Sequence, residues 1–312
     1  MGFTGEIALV TGATGLIGAE VARQLTEAGA EVICAVRDPS RARGRHVLYD
    51  AEQKPEFSFR ARYIVHAAVS AHPLAYAQDP AGVMRANILG TMHLLDYARE
   101  TGARMIFLSS GEVYGQAKPP EAGFTEADAG VLESMDARAC YPESKRAAET
   151  MVASWVKQYG VDAIVARLCH VYGAGIAPGN SRADAQFLRR AAAGEDIVMK
   201  SAGDQVRSYL YVKDAARGIL TLLQKGERGQ AYNVAGREVS SIREYAQTLA
   251  DIAGVRLVFE NPDDIERSGY SKVARAVLDP ARVEGLGFVP AYTLETGLRE
   301  TYQLFRGRAV EG

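Results

Sequence analysis

Tyr141 and Lys145 stand four residues apart in the run Tyr141-Pro-Glu-Ser-Lys145. If Pro142 begins a helix, the phenol and the ammonium share one helical face. A free tyrosine, with a pKa near ~10, is a poor base at neutral pH. An ammonium beside it favours the phenolate, and a phenolate can remove a hydroxyl proton. Ser109 and Ser110 close the apolar run Arg104–Ser109, which reads as a strand. In an open α/β sheet the carboxyl ends of the strands face the ligand crevice. Ser110 is therefore placed to hydrogen-bond the hydroxyl that Tyr141 would deprotonate. Glu112 follows it and brings a carboxylate to the same strand end.

A second constellation supplies a partner for that chemistry. Thr11-Gly12-Ala13-Thr14-Gly15-Leu16-Ile17-Gly18 follows the apolar run Ile7–Val10 and opens a helix-like stretch. Glycines at this spacing permit a tight turn, close approach of backbone to a pyrophosphate, and close packing of helix on strand. The helix N-terminus offers free N–H groups to phosphate. Gly12, Thr14, Gly15, Leu16, Ile17 and Gly18 are thus candidate dinucleotide contacts. With a nicotinamide ring present, proton removal by Tyr141 would accompany hydride loss from the same carbon. The next strand, Glu31–Val36, ends at Arg37 and Asp38, with Arg41, Arg43 and Arg45 close behind. An arginine here suits a 2′-phosphate as a bidentate donor, which favours NADP. The other reading is that Asp38 holds the ribose of NAD and the arginines form a solvated loop. Asp50, after the third strand, is expected at the adenine edge.

These side chains need a scaffold, and the chain offers a regular one. Candidate strands at Ile7–Val10, Glu31–Val36, His46–Tyr49, Tyr63–His66, Arg104–Ser109 and Ala163–Leu168 alternate with candidate helices at Leu16–Ala28, Val83–Glu100 and Pro142–Tyr159. Strand–helix–strand units at this pitch predict an α/β fold, a doubly wound parallel sheet of the Rossmann kind. The nearly continuous apolar strands fit a sheet covered on both faces. After Tyr172 the segments shorten and glycines punctuate them. Residues 1–172 are expected to form the cofactor domain, with the strand at 230–235 returning to it. Residues 173–312 are expected to form a smaller α/β substrate domain, with helices at Ile242–Ala253 and Leu294–Arg306.

Composition agrees with a globular enzyme. The 312 residues carry 36 Lys plus Arg against 38 Asp plus Glu, a net charge of -2. That balance argues against nucleic acid or an anionic membrane as partner. No apolar run approaches the roughly 20 residues that span a bilayer. The N-terminus reads as neither a signal peptide nor a myristoylation site, since Glu6 stands where Ser or Thr is wanted. Three scattered cysteines, Cys34, Cys140 and Cys169, lack metal spacing and are expected to be reduced in a cytoplasmic protein.

Taken together, TGATGLIG, His66-Ala67-Ala68, Asn87 with Gly90-Thr91, SSGEVYG at 109–115, YPESK and Arg167-Leu-Cys-His-Val-Tyr-Gly173 resemble the extended short-chain dehydrogenases/reductases. The likeness is to the nucleotide-sugar epimerase, dehydratase and decarboxylase branch, and it reaches Val206–Asp214 in the second half. It implies Ser110, Tyr141 and Lys145 as the catalytic set and a nucleotide-diphosphate sugar as substrate. It implies that Asn87 holds the lysine and its waters, and that His66, Ala67 and Ala68 run along the cofactor. It also implies that Arg207 grips the substrate diphosphate, with Asn180 and Arg182 as further contacts. His170 stands where many relatives carry asparagine. By analogy the helices bearing Leu89, Met92, Leu95, Met151 and Trp155 would pair in a homodimer.

The resemblance narrows the reaction without fixing it. Dehydratases of this branch carry an Asp-Glu pair where Gly111-Glu112 stands, and decarboxylases a Ser-Glu type pair. Once C4 of a sugar is a ketone, the C5 proton is acidic and Glu112 can remove it. Epimerisation or dehydration is the first expectation. Decarboxylation of a UDP-uronic acid is the near rival, supported by the stretch after Tyr141 and by Ala71–Tyr76 with Asp79-Pro80. Against it, Glu266–Ser271 replaces an expected arginine-rich segment. An NADPH-dependent keto-sugar reductase and a non-catalytic cofactor-binding regulator are the remaining alternatives.

Overall fold

The computed structural model describes residues 2–68, 73–116, 123–177, 179–261 and 273–311. Each apolar run of the first half is a strand: β1 Ile7–Thr11, β2 Glu31–Val36, β3 His46–Leu48, β4 Tyr63–His66, β5 Arg104–Ser110 and β6 Ala163–Leu168. The intervening helices are α1 Leu16–Glu27, α2 Pro73–Gln78, α3 Pro80–Thr101 and α4 Cys140–Tyr159. The second half adds β7 His170–Tyr172, α5 Ala183–Ala192, β8 Ile197–Met199, β9 Val206–Tyr211, α6 Val212–Lys225, β10 Ala231–Val234 and β11 Val239–Ser241. It ends with α7 Ile242–Ala253, β12 Leu257–Phe259, β13 Arg275–Ala276, α8 Ala281–Gly285 and α9 Leu294–Glu311.

Seven strands form one parallel sheet in the order β10-β6-β5-β4-β1-β2-β3. Strand geometry sends alternate residues to opposite faces, and two cores follow from it. Ala8, Val10, Ile106, Leu108, Ile164 and Ala166 point to one side, with Val21 and Leu25 of α1 and Ile219 and Leu222 of α6. Leu9, Met105, Phe107, Ala163 and Val165 point to the other, with Leu94 and Leu95 of α3 and Ala148 and Val152 of α4. The order reverses between β1 and β4, which opens a crevice at their carboxyl ends.

Local chemistry sets the helix limits. α3 begins at Pro80, earlier than Val83, because the Asp79 side chain accepts the Gly82 N–H and Pro80 fits the first turn. α4 begins at Cys140, before Pro142. Proline is tolerated throughout a first turn, whose N–H groups have no intrahelical partner. Both helices stop at a left-handed glycine, Gly102 at φ 74° and Gly160 at φ 70°.

The chain after Tyr172 does not stay apart from this sheet. β7, β9, β11 and β13 make a small second sheet, and β8 pairs with β12. Yet β10 pairs in parallel with β6, and α6 packs on α1 and beneath β5 and β6. Elements on both sides of position 172 therefore cover the large sheet. Among the described residues no helix is long and apolar enough to cross a membrane.

Candidate active site

β1 delivers the glycine turn. Gly12 has φ 66°, and a Cβ there would meet the Ala67 carbonyl oxygen at 2.6 Å. A Cβ on Gly18 would meet the Gly12 carbonyl oxygen at 2.3 Å. These two glycines are required by the chain's own packing. Gly15 differs: it is exposed, caps α1 without any side-chain hydrogen bond, and would have only the Gly12 carbonyl near its Cβ. The free N–H groups of α1 thus face the crevice past Thr14 and Gly15, with Leu16 and Ile17 half-buried behind them. An uncapped helix start beside an open glycine fits a pyrophosphate.

Next to this turn, Thr11 Oγ1 accepts the N–H groups of Ala67 and Ala68, each at 3.1 Å. Its own hydrogen is left for His66 Nδ1 at 2.9 Å, which assigns the ring proton to Nε2. His66 is buried, and burial followed by the Lys145 charge pushes it down to about 3. The ring is therefore a neutral post beneath β1 and β4. What reaches the crevice at this point is the Ala67–Ala68 backbone.

At the end of β2, Arg37 is exposed and its side chain makes no hydrogen bond or ion pair among the described residues. Asp38 Oδ1 accepts both the N–H and the hydroxyl of Ser40. Arg45 pairs with Glu31 instead. Asp50 lies exposed beyond β3 and accepts the Glu52 N–H at 3.0 Å.

The residues expected to handle the proton meet where β5 faces α4. Lys145 is 1% exposed and donates from Nζ to the Leu108 carbonyl at 2.6 Å. The ammonium lies 4.5 Å from the Phe107 ring centroid and 5.7 Å from that of Tyr141. Burial pushes Lys145 down to about 7, while Glu149 pulls it upward. Tyr141 is raised above the ordinary tyrosine value by burial and then by Glu112; hydrogen bonding to Ser110 and the charges of Arg182 and Arg138 oppose this. Ser110 Oγ also accepts the Glu112 N–H at 3.2 Å, capping the short turn Gly111–Tyr114.

Two residues join this group that their sequence positions alone did not mark. Tyr76 of α2 stacks on Tyr141, centroids 4.9 Å apart and planes inclined by 24°. Arg138 lies 4.5 Å over the Tyr76 ring and pairs with Glu112 at 3.2 Å. Arg138 precedes Tyr141 by three residues, close to one helical turn, and that spacing was the available signal.

The remaining expectations divide. Asn87 donates to Ser144 Oγ at 2.9 Å, not to the lysine, and its Oδ1 lies buried without a partner. Ser144 passes its own hydrogen to the Tyr141 carbonyl, so Asn87 steadies the start of α4. Asn180 accepts the Arg182 N–H, shaping the entry to α5. Arg182 is drawn into its own chain: Asp184 takes its Nε at 3.1 Å and Nη2 at 2.9 Å, and Nη2 also reaches Val171 O and His170 Nε2. Burial alone would raise Asp184, but Arg182 and His170 outweigh it and hold the carboxylate well below its ordinary range. His170 is thereby satisfied by its own chain. Arg207 is 9% exposed, donates only to Val206 O, Gln205 Oε1 and Val273 O, and has no carboxylate partner among the described residues. Burial lowers it, and Tyr209 and Glu112 act in the opposite sense. A buried guanidinium held by carbonyls is ready for an anion. Ala71–His72 and Glu266–Ser271 lie outside the described residues.

A family model described as "NAD dependent epimerase/dehydratase family" matches residues 8–235. The zebrafish UDP-glucuronic acid decarboxylase 1 is 30% identical over 312 residues, covering 95% of this chain and 72% of that protein. UDP-glucuronic acid decarboxylase 6 of Arabidopsis thaliana is 30% identical over 249 residues, 78% of this chain and 70% of its own length. Among solved structures, the UDP-glucose 4-epimerase of Thermotoga maritima with UDP-glucose superposes with a TM-score of 0.85 at 25% identity, covering 97% of this chain and 99% of that one. A dTDP-glucose 4,6-dehydratase of Streptomyces venezuelae with NAD and TYD bound gives 0.84 at 25% identity, covering 98% of each chain.

Proposed function

The chain belongs to the NAD-dependent epimerase/dehydratase family, and from that premise we propose that it transiently oxidises C4 of a nucleotide-activated sugar and then epimerises or dehydrates it. The observation that carries this is the convergence of Ser110, Tyr141 and Lys145 at the end of β5, beside an uncapped α1. Gly15, the α1 N–H groups and the Ala67–Ala68 backbone would hold the pyrophosphate side of a nicotinamide dinucleotide. When bound, that cofactor supplies the hydride acceptor and later the donor.

The protein's part is proton handling and orientation. Ser110 would hydrogen-bond the C4 hydroxyl while Tyr141 takes its proton. The Lys145 ammonium stabilises the phenolate so formed. Arg207 would hold the substrate diphosphate, with Asn180 and Arg182 shaping the adjoining wall. Glu112 is the candidate base at C5. Arg37 supports NADP over NAD, because it is exposed and free to meet a 2′-phosphate.

A second reading, decarboxylation of a nucleotide-linked uronic acid, is favoured by one specific observation. A Cβ at Gly111 would meet both Leu278 methyl carbons at 3.2 Å. The place of the dehydratase aspartate is thus crowded by a leucine. Oxidation at C4 turns a uronic acid into a β-keto acid, which loses carbon dioxide readily and needs only a proton at C5. Arg138 beside Glu112 supplies a cation at that end of the site.

The deciding experiment incubates the protein with UDP-, GDP-, TDP- and CDP-sugars, uronic acids included, and NAD or NADP. Loss of water, loss of carbon dioxide, or changed couplings at constant mass identifies dehydratase, decarboxylase or epimerase. A net nicotinamide absorbance change identifies a reductase. Tyr141→Phe is expected to lower turnover by roughly 10²–10⁴-fold. Full activity in that variant would overturn the mechanism, and tight cofactor binding with no turnover would favour a regulator.

A homodimer belongs to the same proposal. α3 and α4 pack side by side on one face of the sheet, and Leu89, Met92 and Met151 are only partly covered. Leu95 is fully buried in its own chain, and Trp155 donates to Asp96 at 2.8 Å. A monomer mass by light scattering at micromolar concentration would remove the dimer.

A further inference from the structure

α4 is fastened to β5 at two points one helical turn apart. Lys145 donates to the Leu108 carbonyl, and Glu149 accepts from Ser109 Oγ at 2.6 Å. Leu108 and Ser109 are consecutive in β5, and the following residue is Ser110. The two anchors therefore set the register between the helix carrying Tyr141 and the strand carrying its serine partner.

Register alone would need no charge here, yet Glu149 is a carboxylate with a side-chain exposure of 13%. Arg167 of β6 grips it with Nη2 at 2.7 Å and Nε at 3.1 and 3.2 Å from its two oxygens. Arg167 Nη1 is itself held by the Tyr114 hydroxyl and the Glu126 carbonyl. The Glu149 charge is thus immobilised behind the lysine, acting on it through space and not as a direct ion pair. Among the described residues, the other groups around Lys145 are neutral. His66 faces it from β4, Phe107 and the Leu108 carbonyl from β5, and Tyr141 from its own helix. Glu112, Arg138 and Arg182 act on Tyr141 from the cleft side.

We propose that Glu149, fixed by Ser109 and Arg167, is a positioning residue for Lys145: it keeps the ammonium charged and aimed at Leu108, and so sets the pH range in which Tyr141 works as a base. The proposal rests on the reading of Tyr141 and Lys145 as the proton-transfer pair. The physical reason is that a buried ammonium with a single carbonyl acceptor and no carboxylate nearby would shed its proton below neutrality, and the reaction needs the charge. A nearby fixed carboxylate opposes that loss without occupying the crevice.

The test reads the lysine itself, so it stands whether or not a substrate has been found. The chain has eight lysines, and selective ¹³C labelling at Cε with a Lys145→Met variant assigns the resonance. In the wild type Lys145 is expected to titrate near 7. Glu149→Gln is expected to lower that midpoint by roughly one unit, while Glu149→Asp stays close to wild type. If Glu149→Gln fails to fold with Arg167 orphaned, the double variant E149Q/R167M removes both charges and should show a smaller fall. With a substrate in hand, the alkaline limb of kcat should move down with Lys145 and KM should change little. An unmoved Lys145 midpoint in Glu149→Gln, or in the double variant should the single one not fold, would overturn the proposal. Absence of turnover in the wild type would overturn only the proposed function.

Discussion

Lys145 faces two opposed demands: burial brings it next to Tyr141 and, by the same act, weakens its charge. The spacing of Tyr141 and Lys145 and the strand-end serine were legible in the sequence, because a helical turn and a strand end follow from local pattern. Tyr76 and Arg138 were not, since Tyr76 meets Tyr141 only when α2 folds over the start of α4, and Arg138 meets Glu112 only when the start of α4 packs against the end of β5. At this scale Arg37 gives a direct prediction. A charged hydrogen bond contributes about 1.5–3 kcal/mol. Arg37→Ala is therefore expected to weaken NADP binding by roughly tenfold or more while leaving NAD nearly unchanged. Titration calorimetry with both cofactors checks it, and equal loss for the two would assign Arg37 to the solvated loop.

Among the elements, the β1–α1 turn separates packing from binding most clearly. Gly18→Ala drives a methyl toward the Gly12 carbonyl, now 2.3 Å from that Cβ position. It should destabilise the fold by about 1–3 kcal/mol, as overpacking does. Gly15→Ala meets only the same oxygen at 3.3 Å, so it should melt near wild type yet bind cofactor more weakly. Thermal melts beside cofactor titrations test the contrast, and equal melting of the two variants would refute it. The first-half strands were legible from their apolar runs. The true start of α3 followed from Asp79 and Pro80, and the true start of α4 from the tolerance of its first turn for Pro142. α6 was harder to place, because which sheet an amphipathic helix covers depends on what the folded chain leaves bare.

For the whole molecule, buried histidines predict the response to acid. His66 binds a proton near ~6.5 when unfolded but only at about 3 in the native state, chiefly because of burial. The native state thus carries fewer protons, and stability, full above ~6.5, falls by roughly 1.4 kcal/mol per pH unit as pH drops below it. His170, also lowered by burial, adds to the slope. Asp184, held low by Arg182 and His170 against the effect of its burial, contributes a further loss below ~4. Chemical denaturation at pH 7, 6 and 5 should show this decline, and His66→Gln should flatten it; constant stability across that range would contradict the account. Residue order by itself determined the parallel sheet, the glycine turn and the Ser110–Tyr141–Lys145 set, since each depends on periodicity or spacing within one or two elements. Only the tertiary structure decided that Arg182 is neutralised by Asp184, that Arg207 has no acid partner among the described residues, that Leu278 crowds Gly111, and that Glu149 stands fixed behind the lysine. Those are matters of burial and charge between distant segments, and the cost or gain of a buried charge is set by its neighbours in space.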